Sequence, residues 1–459
     1  MQILLHKMSL HNKIYGIFVF IALIVCNVQS EEVYDYSVFR KGSPIDIRIG
    51  SIINNFGPYT GFSPVLVGDL TGDGMPELVT VATDYRNHGG SFVVIDGANK
   101  ALHKVVSFGK KHGTPDVSFG YACGPLAISH SGMIYAVVGT AERKNILAYK
   151  VGSTVNDISL VAEAPLEHNF YGNPRIADFN DDGREEVFVG NEVFDALTLS
   201  PIGSGSDENV GRHYQHDGAM FMMGCAADVL PNSPGLELVC GNQIFSVSGS
   251  GVMLMRTIGE KHEGSSQVAD FDADGSPEIL VRSSMGRLSL YSVKENKEIF
   301  FDAYVMTAYP AIGDIDGDSI PEIVGLVSGS RMVAYKYDTQ NSRLVTLWEM
   351  SHSDRSAQTS MTLFDFNGDG KCEIVYRDQT SLRIIDGSGR KPQTISNIMV
   401  SSATKSEYPV VADLDADGQA EIVVSGAMYR DFKKDNASIN IFKSNRWAWA
   451  PAPQWWGQY

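Results

Sequence analysis

Apolar positions along this chain come in short runs of valine, isoleucine and leucine, broken by loops of glycine, aspartate and asparagine. Pro64–Gly68, Phe92–Ile95, Leu382–Ile385 and Ile439–Phe442 are typical. Runs of that length and β-branching read as buried strands, and no amphipathic helix of useful length is legible after residue 30. One unit recurs: a short apolar strand, an acidic glycine-containing loop, a β-branched strand, then one further strand or two.

The clearest copies are PVLVGDLTGDGMPELVTV from Pro64, RIADFNDDGREEVFVG from Arg175, QVADFDADGSPEILV from Gln267, AIGDIDGDSIPEIVG from Ala311, TLFDFNGDGKCEIVY from Thr362 and VVADLDADGQAEIVV from Val410. A seventh, AADVLPNSPGLELVCG from Ala226, keeps the strands around an altered loop. The eighth, PLAISHSGMIYAVVG from Pro125, has a shortened loop without carboxylates. The period is therefore roughly 40 to 60 residues, which suits one four-stranded propeller blade. A single blade cannot bury both faces of its sheet, so blades must stack around an axis. The expected fold is all-β, a propeller of eight blades with seven as the alternative. Residues 34–53 are expected to supply the strand that closes the ring onto the last blade.

Six loops share oxygen donors at positions one, three, five and nine. They are Asp69, Thr71, Asp73 and Glu77; Asp178, Asn180, Asp182 and Glu186; Asp270, Asp272, Asp274 and Glu278; Asp314, Asp316, Asp318 and Glu322; Asp365, Asn367, Asp369 and Glu373; and Asp413, Asp415, Asp417 and Glu421. Alternate side chains turned inward around a hard cation, with a carbonyl at position seven, make an all-oxygen shell suited to calcium rather than magnesium. Glycine at position six permits the sharp turn, and Ser319 replaces it in the fourth of these loops, which should be strained. Uncompensated, three or four carboxylates within nine residues repel one another. About six calcium ions are expected. The loop from Asp228 lacks an acid at position five, carries Pro231 and Pro234, and has its Glu237 one residue late, so it should bind calcium poorly or not at all.

Composition narrows the partners. Acidic residues outnumber basic ones 54 to 37, for a net charge of −17. That excess argues against nucleic acid, which needs a basic surface. Lys7 and Lys13 followed by the apolar run Ile14–Cys26 read as a signal peptide over residues 1–30, since a membrane span needs about 20 apolar residues. No later stretch is apolar enough to span a bilayer, so the chain is expected to be secreted or held at the cell surface. Residues 31–445 then form the propeller and 446–459 a tryptophan-rich tail or linker. If Asp228 faces Glu237, the same register sets Cys225 opposite Cys240, where a disulfide would replace the lost metal; the alternative is two small buried side chains.

These repeats resemble the FG-GAP or VCBS family, the calcium-binding propeller repeats of integrin α-subunit heads and many secreted bacterial proteins, from about Phe62 to Phe442. The resemblance implies that the acids named above are metal ligands stabilising the blades, and it implies no catalytic residue. The tail WAWAPAPQWWGQY, Trp447–Tyr459, is similar to a junction in large Bacteroidetes surface proteins, which would make this chain part of a longer one. The function implied is a protein- or glycan-binding adhesion module. A polysaccharide lyase or hydrolase on the same scaffold is the alternative, and would need a basic residue beside a tyrosine or histidine at the axial opening.

Overall fold

The computed structural model describes residues 39–458 apart from 54–58, 61–63, 85–88, 109–125, 140–143, 168–172, 206–212, 216–217, 221–222, 261, 263, 284–285, 303–305, 358, 401, 403, 405–406, 427–437 and 446. Residues 1–30, read above as a signal peptide, lie outside them. The described residues contain thirty-five strands and no helix, so none is long and apolar enough to cross a membrane.

Eight antiparallel sheets follow one another along the chain. Blade 1 comprises β3 (Leu66–Gly68), β4 (Glu77–Asp84), β5 (Gly89–Ile95) and β6 (His103–Ser107), with the short β2 (Tyr59–Thr60) also paired to β4. Blades 2 to 7 begin at β7 (Leu126–Ser129), β11 (Arg175–Ala177), β17 (Cys225–Ala227), β21 (Ser265–Ala269), β25 (Ala311–Gly313) and β29 (Met361–Phe364), each followed by three strands in meander order. Between blades 3 and 4 a small hairpin pairs β15 (His213–Gln215) with β16 (Gly218–Met220). Blade 8 is composite. Its β33 (Val410–Ala412), β34 (Glu421–Gly426) and β35 (Ser438–Lys443) come from the end of the chain, and β1 (Arg48–Ile53) from its beginning. β1 pairs antiparallel with β35, as expected for residues 34–53, and Arg48 Nε donates to the Ser444 carbonyl 396 residues away at 2.9 Å.

Burial follows the same plan. The first two strands of most blades are buried throughout, while no residue of outer strands such as β20 (Gly251–Thr257) and β32 (Gln393–Met399) is fully buried. Apolar clusters fall between neighbouring sheets: Phe194 with Tyr135 between blades 2 and 3, Phe271 with Tyr335 between 5 and 6, Phe366 with Phe442 between 7 and 8. Every sheet thus buries both faces against its neighbours, which only a closed stack achieves.

A second closure comes from the tail. Ala450 N–H donates to the Phe366 carbonyl of blade 7 (2.8 Å), and the Ala420 N–H of blade 8 donates to the Ala450 carbonyl (3.2 Å). Elsewhere the loops of adjacent blades bond directly, as with Leu236 N–H to the Phe179 carbonyl and Cys372 N–H to the Asp314 carbonyl, both 2.8 Å. The tail therefore inserts between the loops of blades 7 and 8, where a direct loop-to-loop bond would otherwise lie. It continues past blade 8, where Asp413 N–H donates to the Pro453 carbonyl (3.0 Å). In blade 1, Val67 and Trp456 exchange both backbone bonds (3.1 and 2.7 Å). Blade 2 gives Ile128 N–H to the Gly457 carbonyl at 2.8 Å, and blade 3 gives Ile176 N–H to Gln458 Oε1 at 2.6 Å. Trp449 and Trp456 are buried, Trp449 edge-on to Phe366 at 4.8 Å, and Trp455 stacks on His130 at 3.8 Å. A larger residue at position 68 would have to displace the Trp455 ring, because a Cβ on Gly68 would lie 2.4 Å from it.

The cysteine register differs from expectation by one residue. Ala227, not Asp228, faces Glu237, so Cys225 faces Val239. A one-residue slip sends side chains to opposite faces of a sheet. Cys225 accordingly packs towards blade 5 and Cys240 towards blade 3, where its thiol donates to the Gly190 carbonyl at 3.3 Å. Both are free, buried thiols.

Trp449→Ala, which empties a fully buried aromatic position in the clasp, is expected to cost about 3 to 5 kcal/mol in urea unfolding. A loss under about 1 kcal/mol would mean that the tail does not hold the ring.

Candidate metal loops

Each acidic loop joins the first and second strands of its blade and folds by one set of hydrogen bonds. The first aspartate accepts from the backbone within its own loop. Asp69 Oδ2 takes Gly74 N–H (2.9 Å), Asp178 Oδ2 takes Gly183 N–H (2.8 Å) and Asp270 Oδ2 takes Gly275 N–H (2.9 Å). Asp314 Oδ2 takes Ser319 N–H (2.7 Å), Asp365 Oδ2 takes Gly370 N–H (2.8 Å) and Asp413 Oδ2 takes Gly418 N–H (2.9 Å). The fifth-position acids Asp73, Asp182, Asp274, Asp318, Asp369 and Asp417 each accept from the N–H two residues on, at 2.8 to 3.0 Å. At position three, Asn180, Asp272, Asp316 and Asn367 accept from the fifth residue's N–H.

The ninth-position glutamate closes the loop. Glu77, Glu186, Glu278, Glu322, Glu373 and Glu421 are all buried, and each Oε2 accepts the N–H of position two at 2.8 to 3.0 Å. Burial pushes their carboxyls up, to about 7 for Glu77, Glu186 and Glu322 and about 8 for Glu278, Glu373 and Glu421. Neighbouring loop aspartates push in the same direction. In blade 1, Glu77 Oε1 and Thr71 Oγ1 are buried without a hydrogen-bond partner. Orphaned oxygens of that kind are costly unless a cation meets them. The donor set, all oxygen and partly carboxylate, fits calcium.

Carboxylate oxygens gather within 4.8 Å of one another in three loops: Asp270, Asp272 and Glu278; Asp314, Asp316 and Glu322; Asp413, Asp415 and Glu421. The loops of blades 1, 3 and 7 have a neutral third position and form no such acid trio among the described residues. Positive charges also reach the loops, which the sequence reading did not single out. Lys336 Nζ lies 3.0 Å from Asp316, 2.5 Å from Asp318 and 2.9 Å from Glu322. Lys443 pairs with Asp415, with Glu421 at 3.2 Å and with Asp417 at 3.8 Å. Lys294 touches Asp274 alone, at 2.7 Å.

Two residues per loop take the left-handed conformation. At position six these are Gly74, Gly183, Gly275, Ser319, Gly370 and Gly418, with φ between 70° and 94°. Position four is left-handed too, and is occupied by non-glycine residues in three loops: Asp181, Ala273 and Ala416, φ 58° or 59°. The altered loop of blade 4 preserves the closure, since Glu237 Oε2 accepts from Val229 and Leu230 N–H at 2.9 and 3.1 Å. Its extra residue is absorbed in the turn, and Glu237 reaches the ninth-position place after all. No acid stands at its fifth position.

At the opposite end of blade 7, His352 Nδ1 and the Tyr376 hydroxyl lie 3.2 Å apart, and Asp378 pairs with Arg383 at 2.7 Å. Tyr376 is buried, and burial raises its phenol pKa and lowers that of His352.

Residues 365–424 match the family model of the FG-GAP-like repeat, a span running from the blade 7 loop through the second strand of blade 8. The tail beyond Trp447 lies outside the match. No curated protein matches the chain in sequence. Among solved structures, the chain is similar to the Vibrio cholerae biofilm matrix protein Bap1, at 14% identity and TM-score 0.55 over 92% of this chain and 94% of that one. It is also similar to Saccharomyces cerevisiae Sqt1, at 8% identity and TM-score 0.50 over 90% and 100%. The rhamnogalacturonan lyase PL11 of Bacillus licheniformis aligns at 17% identity and TM-score 0.44 over 86% and 62%, too distant to carry an argument. The likenesses to Bap1 and Sqt1 bear on the fold alone, which is the propeller.

Ser319→Gly relieves a left-handed serine and is expected to raise unfolding stability by up to about 1 kcal/mol; a loss would show that the hydroxyl has a role of its own. A carboxyl whose folded pKa exceeds its unfolded value favours the fold while protonated. In chelator, the melting temperature should therefore fall as pH rises from about 4.5 through about 8, where the glutamates ionise. A melting temperature that is flat or rises across that window would contradict the burial argument.

Proposed function

We propose that this protein is an exported propeller whose hairpin loops hold calcium and whose faces bind a protein or glycan at or beyond the cell surface. One observation supports the metal reading above the others: the buried Glu77 Oε1 and Thr71 Oγ1, orphaned within a loop whose remaining donors are all oxygen. Asp69, Asp73 and Glu77 with Thr71 would hold the ion in blade 1, and the corresponding residues of blades 3, 5, 6, 7 and 8 set an upper count of six. The ion would supply charge that neutralises the loop and locks the turn between the first two strands of the blade. Catalysis is not needed from it.

Export is supported by the basic and apolar pattern of residues 1–30. The binding role is supported by the architecture, in which inter-blade loops are free to vary over a rigid ring. Bap1 is a biofilm matrix protein, and the fold it shares with this chain is compatible with a role in adhesion. The enzyme reading rests on the His352–Tyr376 pair, whose tyrosine is buried away from any substrate in this arrangement.

Calcium at a hundred times its Kd stabilises by about 2.7 kcal/mol per site. Chelation should thus lower the melting temperature of the purified protein substantially, and Glu77→Gln should remove one equivalent of bound calcium. A protein that holds no calcium by elemental analysis and melts unchanged in chelator would refute the reading. Binding on a glycan array without product release would favour the adhesion role; ultraviolet-absorbing unsaturated sugar ends would favour a lyase.

A further inference from the structure

The register of the sheets places one residue of each third strand directly opposite the loop-closing glutamate. Glu186 faces Asp195 and Glu278 faces Ser292. One step beyond the pair Leu78–Ile95, Glu77 faces Asp96, and one step beyond Ile374–Ile385, Glu373 faces Asp386. By the same step Glu322 faces Lys336, and Glu421 faces Lys443. In blade 2, whose loop has no carboxylates, Met133 faces Lys150, and the Lys150 ammonium bonds to the Ser131 carbonyl of that loop.

The occupant of this position matches the third residue of the loop. Where position three is neutral, as at Thr71, Asn180 and Asn367, the facing residue is an aspartate. That aspartate is tied into its own turn, as when Asp195 Oδ1 accepts Thr198 N–H at 2.8 Å. Where position three is an aspartate, a lysine enters. In blades 6 and 8 it stands opposite the glutamate and spans three acids of the loop. In blade 5 the lysine sits two residues later and touches Asp274 alone, so that, unlike in blades 6 and 8, no ammonium pairs with a member of the trio Asp270, Asp272 and Glu278.

Resting on the calcium reading above, we propose that Lys336 and Lys443 are tethered counter-cations that take the place of calcium in blades 6 and 8, so that the chain binds four calcium ions and not six. An ammonium at 2.5 to 3.0 Å from Asp316, Asp318 and Glu322 uses the oxygens that a calcium ion would need at about 2.3 to 2.6 Å. Both cations cannot be centred on one set of donors. Loops 6 and 8 then take their counter-charge from within the chain, while loops 1, 3, 5 and 7 depend on the ion outside. Lys443 also belongs to the strand that pairs with β1, opposite Arg48, so the closing blade is one of the two whose loops carry their own cation.

The test is to count calcium on the intact full chain by native mass spectrometry, for the wild type, the double variant Lys336→Met/Lys443→Met, and the charge-keeping Lys336→Arg/Lys443→Arg. The expected counts are four, six and four. Six in the wild type, or four in the methionine variant with its fold intact by circular dichroism, overturns the proposal and leaves the calcium reading standing. If the methionine variant does not fold, the wild-type and arginine counts decide alone: four in both supports the proposal, and six in either overturns it. Zero in every protein overturns the calcium reading, and this proposal with it.

Discussion

A glutamate buried at the root of the hairpin in seven of the eight blades is the constraint around which the molecule is arranged. Its Oε2 is committed to the backbone of position two, which fixes the turn. Its other oxygen and the aspartates of the loop are left to one another. Desolvated acids so placed must be protonated, paired with a base or met by a metal ion. The blades differ chiefly in which remedy their residues supply. Ring geometry then follows from strand pairing and from the apolar faces, while the loops determine under which solution conditions that geometry is comfortable.

Much of this was legible in the chain. The in-register acids, with a β-branched strand after each, announce the blade, and their period announces the propeller. The closing strand from residues 34–53 could be anticipated, because a ring made of a linear chain must be sealed by its two ends. Eight blades rather than seven follows from the blade without acids, Leu126–Pro165, whose strands pair like the others although its loop carries no metal signature.

What escaped the sequence was whatever depends on pairing between strands of unequal spacing. Asp195 follows Glu186 by 9 residues, Lys336 follows Glu322 by 14, and Lys443 follows Glu421 by 22, because each hairpin has its own length. No fixed motif links them, yet they occupy one place in the sheet. The same blindness misaligned Cys225 and Cys240: the loop of blade 4 has an odd extra residue, and one residue suffices to turn a cross-strand pair into opposite faces. The left-handed fourth position also went unread, since alanine and aspartate occupy it as often as glycine does.

The clasp formed by residues 449–458 has a consequence for the order of events during synthesis. β1 is made before blades 1 to 7 and its partner β35 after them, and the stitches at blades 7, 8, 1, 2 and 3 all require residues made later still. Seven sheets can assemble from neighbours in sequence, but the eighth, and the strap that touches blades 7, 8, 1, 2 and 3, must wait for residues 438–458 to be made. Contacts spanning nearly the whole polypeptide are slow to form. Until then the first and last sheets present bare edges, a vulnerable interval in which a neighbouring copy or a protease would find the half-made ring open.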